Sequence, residues 1–202
     1  MKQNSDYCVA EELKLFEREY RDLSHVPRWG IIPVIKRQTV AEHKYYVTLY
    51  ISHICKALNL GCHTLVDALQ HGLEHDRSEC YTSDIPGPVK RSIVDSELEA
   101  IFEDNEDARR FETHKHDQRL EVVLIRKLAD LLDEYAYWFE EYMLGNRRAG
   151  QMMKVIQPAL LAASDKVGVA TSNRQKMKPK VLKPFFDGLT DKKIVPNDPR
   201  GK

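Results

Sequence analysis

TVAEHKYYVTLYISHICKAL, residues 39–58, decides the fold. Thr39 followed by Glu42 spells a capping box, in which each side chain satisfies the other residue's otherwise unpaired backbone N–H. Val40, His43, Val47, Tyr50, Ile51, Ile54 and Leu58 then recur at helical spacing on one face. The pattern predicts a helix buried along that face, with His43 pointing inward near its start.

Working outward, the chain reads as helices separated by short breakers. It shows almost no period-2 alternation and no Asn-Gly or Asp-Gly hairpin signal, so the fold class is all-α. Residues 9–23 form a charged amphipathic first helix, and SHVPRWGIIPVIKRQ (24–38) is a Pro/Gly-punctuated connection. A third helix is expected from about Thr64 to Glu79, with Leu65, Ala68, Leu69 and Gly72 on its buried side. Residues 89–112 read as one or two acid-rich helices. A long helix over about 117–143 has Leu120, Val123, Leu124, Lys127, Leu131 and Trp138 as candidate packing positions, with Asp130 inside the same apolar run. A last helix over about 149–170 contains Pro158, which should kink it.

From Asn173 to Lys202 the chain carries nine Lys or Arg against three Asp, with four of its nine prolines. This composition reads as a basic, extended arm, anchored by Phe185 and Phe186. The expected organisation is therefore a single helical-bundle domain over residues 1–172 followed by an arm over 173–202.

Composition narrows the setting. In 202 residues, 42% are hydrophobic, enough for one sizeable core. Lys plus Arg and Asp plus Glu both number 31, so no overall basic field argues for nucleic acid, which is not an expected partner. Cys8, Cys55, Cys62 and Cys80 form no CxxC pair, and the N-terminus carries charges where a signal peptide needs an apolar run. A reducing cytoplasm is the expected location, and no stretch is apolar enough for a membrane span.

The chemistry-bearing residues gather in LEHDRSECYTSDIPGPVK, residues 73–90. His43 near one helix start, the His75-Asp76 doublet at the end of another helix and Asp130 within a third can converge on one ion. A lone carboxylate amid an apolar run would be costly to bury unpaired. Two imidazoles and two carboxylates suit Zn, Mn, Co, Fe or Ni better than the all-oxygen shell of Ca or Mg. Such an ion, with open positions, polarises a phosphoryl oxygen and lowers the pKa of bound water, which points to phosphoester hydrolysis. Read singly, each part has a plainer explanation: a core histidine for His43, an ion pair with Arg126 or Lys127 for Asp130, a helix end and Asx-type turn for Glu79 and Asp84. A second doublet, His116-Asp117 in the polar run ETHKHDQR, reads as solvated.

Four separated blocks, RWGIIPVIKRQTVAEH (28–43), LEHDRSECYTSDIPGPVK (73–90), LADLLDEY (128–135) and LGN (144–146), resemble the HD-domain phosphohydrolases. Within them they resemble the 5′-deoxynucleotidase branch and its phage relatives, which include dATP triphosphohydrolases. The resemblance covers about Arg28 to Asn146. It implies a metal set of His43, His75, Asp76 and Asp130, with Glu79 and Asp84 close to the metal-bound water and scissile phosphate. Glu79 is then placed to accept a proton from, or orient, the attacking water, and Asp84 to orient water or protonate the leaving 5′-oxygen. The Arg28-Trp29 pair implies a phosphate fork and a base-stacking face, and Lys90 a second phosphate contact. His71, one turn before His75, is a candidate extra ligand, but one metal per subunit is favoured.

The resemblance implies release of deoxynucleoside from a deoxynucleoside monophosphate or from a triphosphate such as dATP, the ion being Zn, Co or Mn, with Mg accompanying a polyphosphate. Lys90, Lys36, Arg37 and the basic tail suit extra phosphates. It also implies a symmetric homo-oligomer. Two rivals stand beside it: a nucleotide sensor that binds without turnover, and a nucleic-acid module using residues 173–202.

Overall fold

Residues 17–84 and 119–190 are described in the computed structural model. Helices are α1 (residues 17–22), α2 (Val40–Leu58), α3 (Cys62–Glu74), α4 (Glu79–Thr82), α5 (Leu120–Met143), α6 (Ala149–Ala170), α7 (Arg174–Met177) and α8 (Lys183–Thr190), with a π-helical turn at Lys178–Leu182. Among the described residues there is no strand, and one isolated bridge joins Pro27 to Thr39. None of these helices is long and apolar enough to cross a membrane. The residues group into two compact units, 17–45 with 73–84 and 46–72 with 119–190.

The second unit holds the apolar core. Val47, Ile51, Ile54 and Leu58 of α2 contribute the face that the sequence predicts, and Ala68 of α3 joins them. Val122, Ile125, Leu128, Ala129 and Leu132 come from α5, and Leu160, Ala163 and Val167 from α6. The α5–α6 connection explains LGN: Gly145 takes a positive φ of 103°, and Asn146 Nδ2 donates to the buried Glu141 carboxylate at 2.8 Å. Glycine tolerates that backbone without a Cβ clash.

Three expectations are corrected. The long helix buries a different stripe: Leu120 and Lys127 are exposed, while Val122, Ile125, Leu128 and Leu132 are buried. The run Val122-Val123-Leu124-Ile125 is apolar on several faces, so its periodicity does not fix which one turns inward. Trp138 is fully buried as expected.

The C-terminal segment is not extended over its described part. Residues 174–190 are helical, and Met177, Val181 and Leu182 belong to the core. Phe185 and Phe186 do anchor it, packing edge-to-face on Tyr135 at 6.1 and 5.4 Å between ring centroids. The lysines that suggested an arm project outward while apolar residues at helical spacing face in, which composition alone conceals. Helix α6 keeps its helical assignment through Pro158, which lies on an exposed face.

The third correction touches the site. Helix α3 stops at Glu74, five residues earlier than expected, because Asp76 adopts a left-handed φ of 57° that no α-helix accommodates. A separate short helix, α4, restarts at Glu79. Lys90, the acid-rich segment 89–112 and the second doublet at His116-Asp117 lie outside the described residues.

Candidate metal centre and active site

The capping box forms as predicted: Thr39 N–H donates to Glu42 Oε2 at 2.7 Å, and Glu42 N–H donates to Thr39 Oγ1 at 3.2 Å. This fixes the start of α2 and places His43 one turn inside it, with no solvent exposure. His75 follows α3, and its Nε2 lies 3.3 Å from Nε2 of His43. Asp76 Oδ2 lies 3.8 Å from Nε2 of His43 and 3.7 Å from Nε2 of His75.

Those three donors fit a divalent ion. Zn–N bonds of about 2.0–2.1 Å in a tetrahedral shell separate neighbouring ligand atoms by roughly 3.3 Å, the distance found between the two imidazole nitrogens. Their edge-to-face ring arrangement, with 67° between planes, aims both Nε2 atoms into a shared space rather than stacking the rings. The left-handed Asp76 backbone lets adjacent residues present an imidazole and a carboxylate to that same space.

Glu79, the first residue of α4, is 2% exposed, and its N–H donates to the Asp76 carbonyl at 3.1 Å. The doublet and Glu79 are therefore tied through a tight turn rather than along a continuous helix. Asp84 reaches the other sequence block: its Oδ2 accepts from the Trp29 N–H at 2.9 Å.

The loop before α2 closes on itself. Arg28 N–H donates to the Gln38 carbonyl at 2.9 Å, and Val40 N–H to the Val26 carbonyl at 2.9 Å. Arg28 is almost buried, donates to Gln38 Oε1 at 3.1 Å, and stacks its guanidinium 4.8 Å from the Trp29 ring. Trp29 has φ 63°, an uncommon conformation for a bulky residue, and one seen at functional sites. Thus His43, His75, Asp76, Glu79, Asp84, Arg28 and Trp29 all belong to the first unit.

Asp130 sits on α5 in the second unit, about a third exposed, with Arg126 at 3.5 Å. The ion pair raised as its plainer explanation therefore exists. His71 is on α3 in the second unit, and Lys36 and Arg37 are exposed on the loop before α2.

Sequence reasoning missed a polar layer. Lys44, next to His43, is 3% exposed, with its Nζ 4.6 Å from the Tyr20 ring. Burial lowers its pKa to about 8, with Asp76 opposing that shift. The buried Glu19 accepts from Arg77 Nε at 2.6 Å and from the Tyr81 hydroxyl at 2.7 Å. Arg77's position directly after the doublet is the sole sequence signal for this layer; nothing in the text of the chain connects residue 19 to residue 77.

Comparison with known proteins bears on this arrangement. The sequence model of the family described as 5′-deoxynucleotidase YfbR-like matches residues 16–171. The chain is 37% identical over 67 residues to the dATP triphosphohydrolase of Cyanophage S-2L, a match covering 33% of this chain and 38% of that relative. The chain thus spans well under half the length of the curated relative it matches.

Among solved structures, the Cyanophage S-2L HD phosphohydrolase DatZ, bound to dA and one catalytic Zn2+ ion, superposes with a TM-score of 0.59 at 20% identity, covering 84% of this chain and 96% of that one. A Pyrococcus horikoshii protein superposes with a TM-score of 0.58 at 17% identity, covering 81% and 99% of the two chains. A conserved hypothetical protein from Pyrococcus furiosus does so at 0.58 and 18% identity, covering 88% and 98%. At such identities these likenesses establish the all-α fold.

Proposed function

The chain belongs to the 5′-deoxynucleotidase YfbR-like family, and on that premise we propose that it is a metal-dependent phosphohydrolase cleaving the 5′-phosphoester of deoxyribonucleotides to release the deoxynucleoside. One observation carries the proposal: two imidazole Nε2 atoms 3.3 Å apart, with a carboxylate oxygen of the same doublet within 3.8 Å of both. His43, His75 and Asp76 hold the ion, and Asp130 is its fourth ligand. Zn, Co or Mn fits this nitrogen and oxygen set. When bound, such an ion supplies Lewis acidity toward a phosphoryl oxygen and a more acidic water.

Glu79 orients the attacking water and takes its proton; its burial keeps bulk water from competing for that carboxylate. Asp84 has two duties, since the oxygen that accepts from Trp29 N–H holds the Arg28-Trp29 turn while the carboxylate faces the reaction as a water-orienting or proton-donating group. Arg28 offers a guanidinium fork to phosphate, and Trp29 a face to the base. Lys90 adds a second phosphate contact.

The substrate is a deoxynucleoside monophosphate or a triphosphate such as dATP, the latter with Mg on its polyphosphate. Both share the bond cleaved and differ in the leaving phosphate chain. The enzyme acts in the cytoplasm as a symmetric homo-oligomer.

The test is a hydrolysis panel of deoxy- and ribonucleoside mono-, di- and triphosphates with Mn, Co, Zn or Mg, with products identified. Release of deoxynucleoside from at least one substrate is expected, and no consumption with any metal sinks the proposal. Tight nucleotide binding without consumption would instead favour the sensor.

A further inference from the structure

We propose that Glu19 is a positioning residue for the metal-binding turn, acting through Arg77 and Tyr81 on the segment that carries Asp76 and Glu79. The proposal rests on the metal-dependent reading above.

A left-handed aspartate persists where its surroundings hold it. The residues after Asp76 are held from one point. Glu19 is 1% exposed; its Oε2 accepts from Nε of Arg77, the residue directly after Asp76, and its Oε1 accepts from the hydroxyl of Tyr81 in α4. One buried carboxylate thus grips the chain on both sides of Glu79. A surface ion pair of the same composition would be loosened by solvent, whereas this one is shielded and its carboxylate is bonded through both oxygens.

The neighbouring residue extends the grip to the other metal-binding element. The Tyr20 ring lies 5.5 Å from the Arg77 guanidinium and 4.6 Å from Lys44 Nζ. Lys44 directly follows His43, as Arg77 directly follows Asp76. Two consecutive residues of α1 therefore contact the residue after each of two ligands. All of these residues lie in the first unit. The spacing of His43, His75 and Asp76 depends on this clamp, as a metal site depends on the groups that orient its ligands.

The experiment uses the full-length protein stripped of metal, titrated with Zn2+ alone and Mn2+ alone in competition with a chelating dye. Glu19→Gln keeps the shape and an acceptor for Tyr81 while removing the charge that holds Arg77. It is expected to weaken metal binding about 10-fold, the scale of losing an outer-shell partner, with hydrolysis returning as metal is raised to saturation. Arg77→Met should weaken binding by the same factor, and the double variant should be no worse than either single one.

The proposal is overturned if Glu19→Gln lowers the melting temperature of the metal-free protein yet binds metal like the parent, since that is the signature of a merely structural pair. Should Glu19→Gln fail to fold, Tyr81→Phe, which deletes one of the two grips, decides: weaker metal binding supports the clamp and unchanged binding overturns it. A parent protein that binds metal but hydrolyses no deoxynucleotide sinks the functional reading and leaves the clamp standing. A parent that binds neither ion overturns both.

Discussion

The two units bury opposite kinds of side chain. In the first, the buried residues among those described are mainly polar, namely Glu19, Arg28, Gln38, His43, Lys44 and Glu79, with Leu23 and Val40 as the buried apolar ones. In the second, a continuous apolar cluster runs from Val47 to Leu182, and buried polar groups are confined to Asp133, Glu141, Ser164 and Asn173. Polar interiors are held by directional bonds and fix atoms in place, whereas apolar interiors supply most of the folding free energy. On the proposed function, the ligands His43, His75 and Asp76 fall in the polar unit, and most of the buried apolar surface falls in the other.

The sharpest way to break that division is Asp76→Asn. Asparagine tolerates the left-handed backbone at this position, so the turn survives while the anionic ligand is lost. Hydrolysis is expected to fall by at least about 10³-fold, the scale of removing a dominant electrostatic stabiliser. The melting temperature of the metal-free protein should not change. A large drop in that temperature would show that the polar unit carries stability as well as chemistry.

The converse variant is Leu132→Ala in the apolar cluster. It should destabilise the protein by about 2–5 kcal/mol, through lost transfer energy and a residual cavity, as read by urea unfolding. Activity per folded molecule and metal affinity should be retained. Loss of metal affinity at full folding would show that the core also sets ligand geometry.

The smallest effect compares how closed the units are. Burial pushes the thiols of Cys80, in the first unit, and Cys55, in the second, up to about 11. At about pH 8 roughly one in a thousand of either is thiolate. Cys62 is exposed and should be alkylated by iodoacetamide before Cys55 and Cys80, each of them at least about 10-fold slower. Raising the pH should speed both slow sites, because it raises their thiolate fraction. Peptide mass spectrometry reads the order, and Cys80 reacting as fast as Cys62 would mark the polar unit as the looser one.

The same division explains what was legible in the chain. Helix α2 and its inward His43 were readable because a capping box and a 3.6-residue repeat are local signals, and both appear in the structure. Of the seven first-unit candidates, His43, His75 and Asp76 are suggested by their residue types, whereas Glu79, Asp84, Arg28 and Trp29 rest on the resemblance to the HD-domain phosphohydrolases, which records chemistry without recording backbone. That is why the sequence pattern runs the helix through Asp76: its left-handed φ leaves no trace in composition. Glu19, Tyr20 and Lys44 were missed because their contacts join residues far apart in the chain. The sequence does not single out the buried stripe of α5, where too many apolar residues compete for one face, and the lysines on the outer side of the C-terminal helices hide their helical pattern.

The docking of Met177, Val181 and Leu182 into the apolar cluster has a consequence for biosynthesis. Those residues are made more than a hundred residues after Val47 and Ile51, which belong to the same cluster. The nascent chain must keep that surface out of contact with other nascent chains until Met177, Val181 and Leu182 have emerged. A chain cut near residue 173 would therefore leave an unfinished core for the quality-control machinery to remove, rather than a trimmed but folded protein.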